Sequence, residues 1–143
     1  MKIRKAKESD KDSIRDLLNA DSGNTGDDEL YYEDKHAMEY LKGKAFETFV
    51  AEVDGKSVGV IMANVFPIGE YAEMYNIAID KRYGKKGVAT KLMDFFENYL
   101  RKKKIEIVYG YVNYNNKSSQ RMMEKLHYQK GKKIWFYSKF LKK

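Results

Sequence analysis

Apolar and polar residues recur with two different periods along this chain, and the changes of period mark its elements. "IRKAKESD" reads as a short first strand. Ser9 or Asp10 is placed to cap a helix over "DKDSIRDLLNA", where Ile14, Leu17 and Leu18 share a face. Residues 21–29, "DSGNTGDDE", are rich in turn formers. Tyr32, His36, Met38, Tyr40 and Leu41 support a second helix over residues 31–42. "FETFVAEVDGKSVGVIMANV" then sets two β-rich runs on either side of Asp54-Gly55, a dipeptide suited to a tight hairpin. "YAEMYNIAID" follows after a short loop, so the three runs predict an antiparallel meander.

Helical spacing returns over residues 87–101, with Val88, Leu92, Phe95, Phe96, Tyr99 and Leu100 on one side and polar residues between. "IEIVYGYV" predicts a strand over 105–112. Asn115 or Asn116 is placed to cap a short helix to Leu126, and "KKIWFYSKF" predicts a closing strand. The order β-α-α-β-β-β-α-β-α-β implies an α/β (α+β) fold: a mixed, mostly antiparallel sheet with helices on both faces. The passage through residues 71–112 is expected to be a right-handed parallel crossover. With no linker or internal repeat, residues 1–143 are expected to form a single domain.

Composition narrows the function. No apolar run approaches the roughly 20 residues of a membrane span, and "MKIRKAKESD" has no apolar signal segment, so a cytoplasmic location without membrane attachment is expected. There is no cysteine, and the two histidines, His36 and His127, are far apart, which argues against a metal site. The net charge of +7 is uneven. Residues 1–80 hold 10 Lys/Arg and 17 Asp/Glu, residues 81–100 hold 5 and 2, and residues 101–143 hold 13 and 2. A basic second half points to an anionic partner or simply to a solvated surface. Lys102-Lys103-Lys104 and Trp135-Phe136-Tyr137 support a nucleic-acid-binding reading, but no such motif is present and those aromatics suit a buried last strand. A nucleic acid is therefore the weaker choice of partner.

The stretch "KRYGKKGVAT", 81–90, joins a strand to an amphipathic helix. Successive N–H groups there can converge on an anion, helped by the helix dipole. Gly84 and Gly87 would let the backbone approach closely, and Lys85 and Lys86 supply charge. The loop is neither a Walker loop nor a dinucleotide fingerprint. In its context, "YAEMYNIAIDKRYGKKGVATKL" resembles the acetyl-CoA-binding segment of the GNAT superfamily of N-acetyltransferases, which runs from a strand into Gln/Arg-x-x-Gly-x-Gly/Ala and a helix. Gly87 and Ala89 match the last two key positions, Asp80 and Tyr83 match frequent neighbours, and Gly84 departs from Gln/Arg. "NKSSQRMMEKLHY", 116–128, resembles a second motif of the family. Asn116, Ser119, Glu124, Lys125, Leu126 and Tyr128 are in register, while Met123 replaces the usual tyrosine and His127 the usual glycine.

The resemblance implies acetyl transfer from acetyl-CoA to a primary amine by direct attack on the thioester. The chain itself would be a monomer or homodimer, and its partners would be an amine acceptor, a small molecule or a protein amino group, and coenzyme A. Gly84, Lys85, Lys86, Gly87, Val88, Ala89 and Thr90 would hold its pyrophosphate. Ile77, Ala78 and Ile79 would lie along the pantetheine arm, with Asn116 and Ser119 nearby. The attacking amine must be neutral, the oxyanion needs a donor and the departing thiolate gains from a proton. Glu73 matches the family's glutamate base, and strict alternation would place it on the same side as Tyr75, Ile77 and Ile79 unless a bulge intervenes. Tyr128 and Tyr111 are weak candidates for proton donor in place of Met123, with His127 a further possibility. A chain that binds acyl-CoA with little catalysis is the alternative. The acidic stretch 21–34, with Asp21, Asp27, Asp28, Glu29, Glu33 and Asp34, suits either a cationic amine acceptor or a solvated loop.

Overall fold

The computed structural model describes residues 1–25 and 32–142, with residues 22–25 as backbone only. Its elements are β1 (Lys2–Lys5), α1 (Lys11–Thr25), α2 (Asp34–Lys42), β2 (Phe46–Val53), β3 (Lys56–Phe66), β4 (Tyr71–Ile79), α3 (Val88–Lys102), β5 (Ile107–Gly110) and α4 (Lys117–Lys125). The five strands form one sheet in the order β1-β2-β3-β4-β5. The first three pairings are antiparallel and β4–β5 is parallel. The mixed sheet and the meander are thus as the sequence implied.

Alternation along the central strands sends side chains into two cores. Val50, Val60, Met62 and Ala78 pack with Ile14, Leu18 and Tyr40 of α1 and α2 on one face. Phe49, Ile61, Ala72 and Met74 pack with Val88, Leu92 and Phe96 of α3 and Met123 of α4 on the other. At Gly59 the helix comes close. A Cβ built there would sit 2.9 Å from Ile79 Cδ1 and 3.0 Å from Leu92 Cδ1, so the first turns of α3 are pressed against β3 and β4. A separate polar anchor fixes the start of the chain. Asp10, buried at the head of α1, accepts from both Arg4 guanidinium nitrogens at 2.8 and 2.9 Å, from Lys7 N–H at 2.8 Å and from Ser57 at 3.1 Å.

Three expectations need correction. α1 continues to Thr25, so residues 21–25 are helical; residues 26–29 of that turn-rich stretch lie outside the described residues. α2 begins at Asp34 behind Glu33, and Tyr31 is likewise outside. The segment "KKIWFYSKF" forms no strand and is not buried: Trp135 is 87% exposed and Phe136 91%. A strand requires a paired edge, and the arm 129–142 pairs with none and is exposed.

Candidate active site

The loop between β4 and α3 is built around two tethers. Asp80 accepts from Arg82 N–H at 3.0 Å and from the Arg82 guanidinium at 2.7 and 3.1 Å, which closes a single 3₁₀ turn over Lys81–Tyr83. Arg82 holds the Asp80 carboxyl below the usual carboxylate range. Gly87 then adopts φ 75°, the left-handed region, and caps α3 without a side chain. Gly84 N–H donates to Lys81 O and Lys86 N–H to Tyr83 O. The amides of Lys85, Gly87, Val88, Ala89 and Thr90 have no acceptor among the described residues. Five free N–H groups at the positive end of a helix dipole make an anion cradle. A Cβ on Gly87 would meet nothing within 4 Å, so the space in front of it is open. Gly84, by contrast, has φ −61° and room for a side chain, with only Lys81 O at 3.5 Å. Its glycine is not demanded by the backbone. Lys85 and Lys86 are exposed, and Lys86 Nζ lies 5.1 Å from the Tyr83 ring centroid.

Beside this loop the sheet divides. The β4–β5 ladder runs only from Tyr71/Ile107 to Met74/Gly110, while β4 continues to Ile79. Asp80 N–H donates to Val58 O of β3 at 2.8 Å. In an antiparallel ladder, alternate residues turn their backbone groups to the same neighbour. Asp80 and Ala78 therefore face β3, and the N–H and C=O of Ile77 and Ile79 point into the gap that β5 has left. The Ala78 side chain is buried in the α1/α2 core. At the apex of the gap, a Cβ on Gly110 would lie 3.1 Å from Met74 Cε and 3.5 Å from Met123 Cε, so the two thioethers fill that corner.

A β-bulge sits at the same place. Met62 pairs with Asn76 and the next residue, Ala63, with Met74, so Tyr75 is extra on β4. The simple alternation fails here. Met74, Ile77 and Ile79 pack on the α3/α4 face, whereas Glu73 and Tyr75 lie on the α1/α2 face. Glu73 is flanked in register by Asn64 of β3 and Tyr109 of β5. Asn64 Oδ1 is buried with no partner among the described residues. Tyr75 packs against Tyr40 and Phe46, with ring centroids 5.8 and 5.4 Å away, and Asn76 Nδ2 donates to Tyr32 Oη at 3.4 Å. At the far end of α1, burial pushes the Asp21 carboxyl up, and Lys81 only partly offsets it. Asp27, Asp28 and Glu29 of the acidic stretch lie outside the described residues. Glu33 and Asp34 are at the head of α2, where Asp34 pairs with Arg15 at 2.6 Å.

A basic amide cradle, a split between parallel strands and a bulged strand carrying a glutamate occur together. The chain's sequence matches the model of the acetyltransferase (GNAT) family over residues 11–128. The chain belongs to that family. It is an acetyl-CoA-dependent N-acetyltransferase, and acetyl-CoA is its cosubstrate. The five free amides and the open front of Gly87 suit an anionic group.

Solved structures share its fold. An aminoglycoside acetyltransferase from an uncultured soil metagenomic sample, in complex with sisomicin, is 18% identical, with a TM-score of 0.78 over 99% of this chain and 96% of that one. A ribosomal-protein-alanine N-acetyltransferase from Brucella melitensis biovar Abortus 2308 is 17% identical, with a TM-score of 0.78 over 98% and 100%. An aminoglycoside N-acetyltransferase in complex with CoA is 18% identical, with a TM-score of 0.75 over 97% and 99%. No curated protein matches in sequence.

The remaining sequence candidates are distributed unevenly around this acetyltransferase's cleft. Asn116 is the N-cap of α4, its Oδ1 accepting from Ser119 N–H at 3.1 Å. Its Nδ2 has no acceptor among the described residues. Tyr111 follows the end of β5 and is exposed. Tyr128 is elsewhere: its hydroxyl donates to Glu97 of α3 at 3.0 Å, and burial together with Glu97 pushes the phenol well above its ordinary range. His127 takes φ 68°. His127 N–H donates to Glu124 O and Tyr128 N–H to Met123 O, the two bonds of a Schellman motif. It thus performs the terminating task of the glycine it replaces. Among the described residues no cluster of His, Asp or Glu is arranged to hold a metal. No helix is long and apolar enough to cross a membrane.

The bulge, and with it the tyrosine-lined face around Glu73, was not legible in the sequence. Its one trace there is the recurrence of tyrosine at 71 and 75 and, far away in the chain, at 32 and 40.

Proposed function

We propose that this acetyltransferase acetylates a primary amine carried by a cationic acceptor, with Glu73 as general base. The observation that carries the reading is the bulge at Tyr75, which turns Glu73 to the α1/α2 face right where β4 and β5 part. The coenzyme would enter from the α3 side, with its pyrophosphate on the amides of Lys85 and Gly87 through Thr90. Its arm would run along Ile77 and Ile79. The amine would approach from the opposite face, past Tyr32, Tyr40 and Tyr75, whose rings suit a cation.

Glu73 would take the proton of the ammonium, directly or through one water, and free the nitrogen lone pair. The nitrogen would attack the thioester carbonyl, and the Ile77 N–H in the gap would donate to the oxyanion. The C–S bond then breaks, the proton remaining on the nitrogen passes to solvent or through it to the departing sulfur, and the neutral amide remains. Met123 cannot donate a proton and Tyr128 is committed to Glu97, so the thiolate would leave unaided or by way of solvent. With a thiol that titrates near ~8.5, such a departure is tolerable. The structural neighbours whose names specify aminoglycosides or a ribosomal protein's alanine mark two kinds of amine to try first.

The test is direct. The protein is incubated with acetyl-CoA and a panel of polyamines, aminoglycosides and amino-terminal peptides, and thiol release is followed. Turnover with cationic amines and none with neutral ones supports the reading. Turnover that ignores acceptor charge overturns it.

A further inference from the structure

One oxygen on the α1/α2 face of the sheet lacks a donor. Asn64 Oδ1 is closed to solvent and accepts from nothing among the described residues. Such an orphan is costly, and native folds keep few of them without a use. Because solvent does not reach it, a donor for it has to come from the protein itself.

The bulge at Tyr75 decides what stands beside it. Met62 pairs with Asn76, and beyond the extra residue Asn64 pairs with Glu73. With the ladder unbroken, Asn64 would stand opposite Met74 instead. On its other side Asn64 pairs with Phe46, and Glu73 in turn pairs with Tyr109, so the row Phe46, Asn64, Glu73, Tyr109 crosses four strands on one face. Phe46 carries no side-chain donor. The Glu73 carboxyl has no hydrogen bond or ion pair among the described residues, so no partner commits it elsewhere. Opposed residues on one sheet face hold their Cβ atoms roughly 4.5–5.5 Å apart. The Glu73 side chain is a methylene longer than that of Asn64 and turns about three torsions. One of its oxygens can therefore reach Oδ1 at the ~2.7 Å of an O–H···O bond.

Ionised, Glu73 offers only acceptors and leaves Asn64 unpaired; protonated, it carries an O–H. Resting on Glu73 as the base, we infer that Asn64 is a positioning residue for it: Asn64 Oδ1 receives the O–H that Glu73 gains from the acceptor's ammonium. In that step one N–H bond of the ammonium breaks and one O–H bond forms on Glu73. The electron pair stays on the nitrogen, and Asn64 makes and breaks no covalent bond. The orphan is thus unpaired while the carboxylate waits and paired once the proton has arrived, so the bond is made only as the amine is freed. It also holds the protonated oxygen on the Asn64 side, away from the nitrogen it has just released. When the proton leaves Glu73 for solvent after turnover, the orphan returns.

The test uses the full chain and reads stability and rate separately. Glu73→Gln replaces one carboxyl oxygen by an NH₂ group, a permanent donor for Asn64. It should raise the melting temperature by about 2–4 °C. In a chain that also carries Asn64→Leu, it should not. Asn64→Leu by itself removes an orphaned acceptor at similar size and should leave the melting temperature no lower. With acetyl-CoA and the amine of the panel that turns over fastest, its kcat should fall about tenfold, with both KM values unchanged. Added to Glu73→Gln, the same change should leave kcat where Glu73→Gln had put it. A purely structural role would cost the same in both proteins. The inference is overturned by native kcat in Asn64→Leu, by an equal rate loss with and without Glu73, or by a melting temperature that Glu73→Gln does not raise. The two readings separate cleanly. Native turnover in Glu73→Gln removes the base and this inference with it, whereas native kcat in Asn64→Leu removes the inference alone. The melting arm needs no acceptor, so it decides the contact even if the amine panel fails.

Discussion

Tyr128 donates its hydroxyl to Glu97 at 3.0 Å, nine residues into α3 from Val88. At 1.5 Å per residue that contact lies about 14 Å along the helix axis from the amide cradle. The bond is a structural clasp between α3 and the end of α4. Tyr128→Phe is expected to lower stability by about 1–2 kcal/mol, as for loss of a partly buried bond to a charged group. Turnover of the folded enzyme should be unchanged. Denaturant unfolding beside steady-state kinetics checks this, and a large fall in kcat at unchanged stability would return Tyr128 to the list of proton donors.

Gly87 is held at φ 75° in front of open space. Gly87→Val puts a β-branched residue in the left-handed region, at a cost of roughly 1–2 kcal/mol, and fills the approach to the amides. Coenzyme affinity measured by calorimetry should fall at least tenfold. Lys85→Ala/Lys86→Ala should weaken binding only modestly, and mainly at low ionic strength, since both side chains are exposed.

Glu73→Gln should reduce turnover by about 10²–10⁴-fold with coenzyme affinity nearly intact. The deficit should narrow as pH rises towards the ~10.4 of a lysine-type amine, where the base has less to do. A pH–rate profile for both proteins decides it: equal rates throughout would remove Glu73 from the mechanism.

Met123 is buried beside Met74 and Gly110 at the apex of the strand split. Met123→Tyr restores the tyrosine seen at this place in the family motif, but the larger ring enters a filled corner. The expected result is a stability loss of about 1–3 kcal/mol and no gain in rate. Thermal unfolding and turnover report the two effects separately, and a faster enzyme would show that thiolate departure is limiting.

Burial alone would raise the Asp10 carboxyl, yet Arg4, the Lys7 amide and Ser57 together hold it below its ordinary value. A folded-state pKa below the unfolded one stabilises the fold above the unfolded value, near ~3.9, and this contribution is lost as pH falls through the folded value. Stability should therefore drop below about pH 4 in the native chain. Asp10→Ala leaves Arg4 without its main partner and should cost about 3–5 kcal/mol at neutral pH. Its stability should then vary less between pH 4 and pH 2, as read by denaturant titrations at each pH.

What the sequence determined by itself were features that depend on nearby residues. The glycine–lysine loop at 81–90, the cap at Asn116 and the apolar stripe of α3 are written in local spacing, and each is where that spacing placed it. So was the hairpin at Asp54-Gly55. Tertiary structure alone decided the rest. One extra residue at Tyr75 reversed the face of Glu73 relative to Ile77, because period-two alternation holds only while the ladder keeps register. The partner of Tyr128 depended on where α4 comes to rest on α3, which no local pattern records. The arm 129–142 has a strand's composition but forms no strand, because a strand exists only where the chain path brings it to an edge, and composition does not set that path.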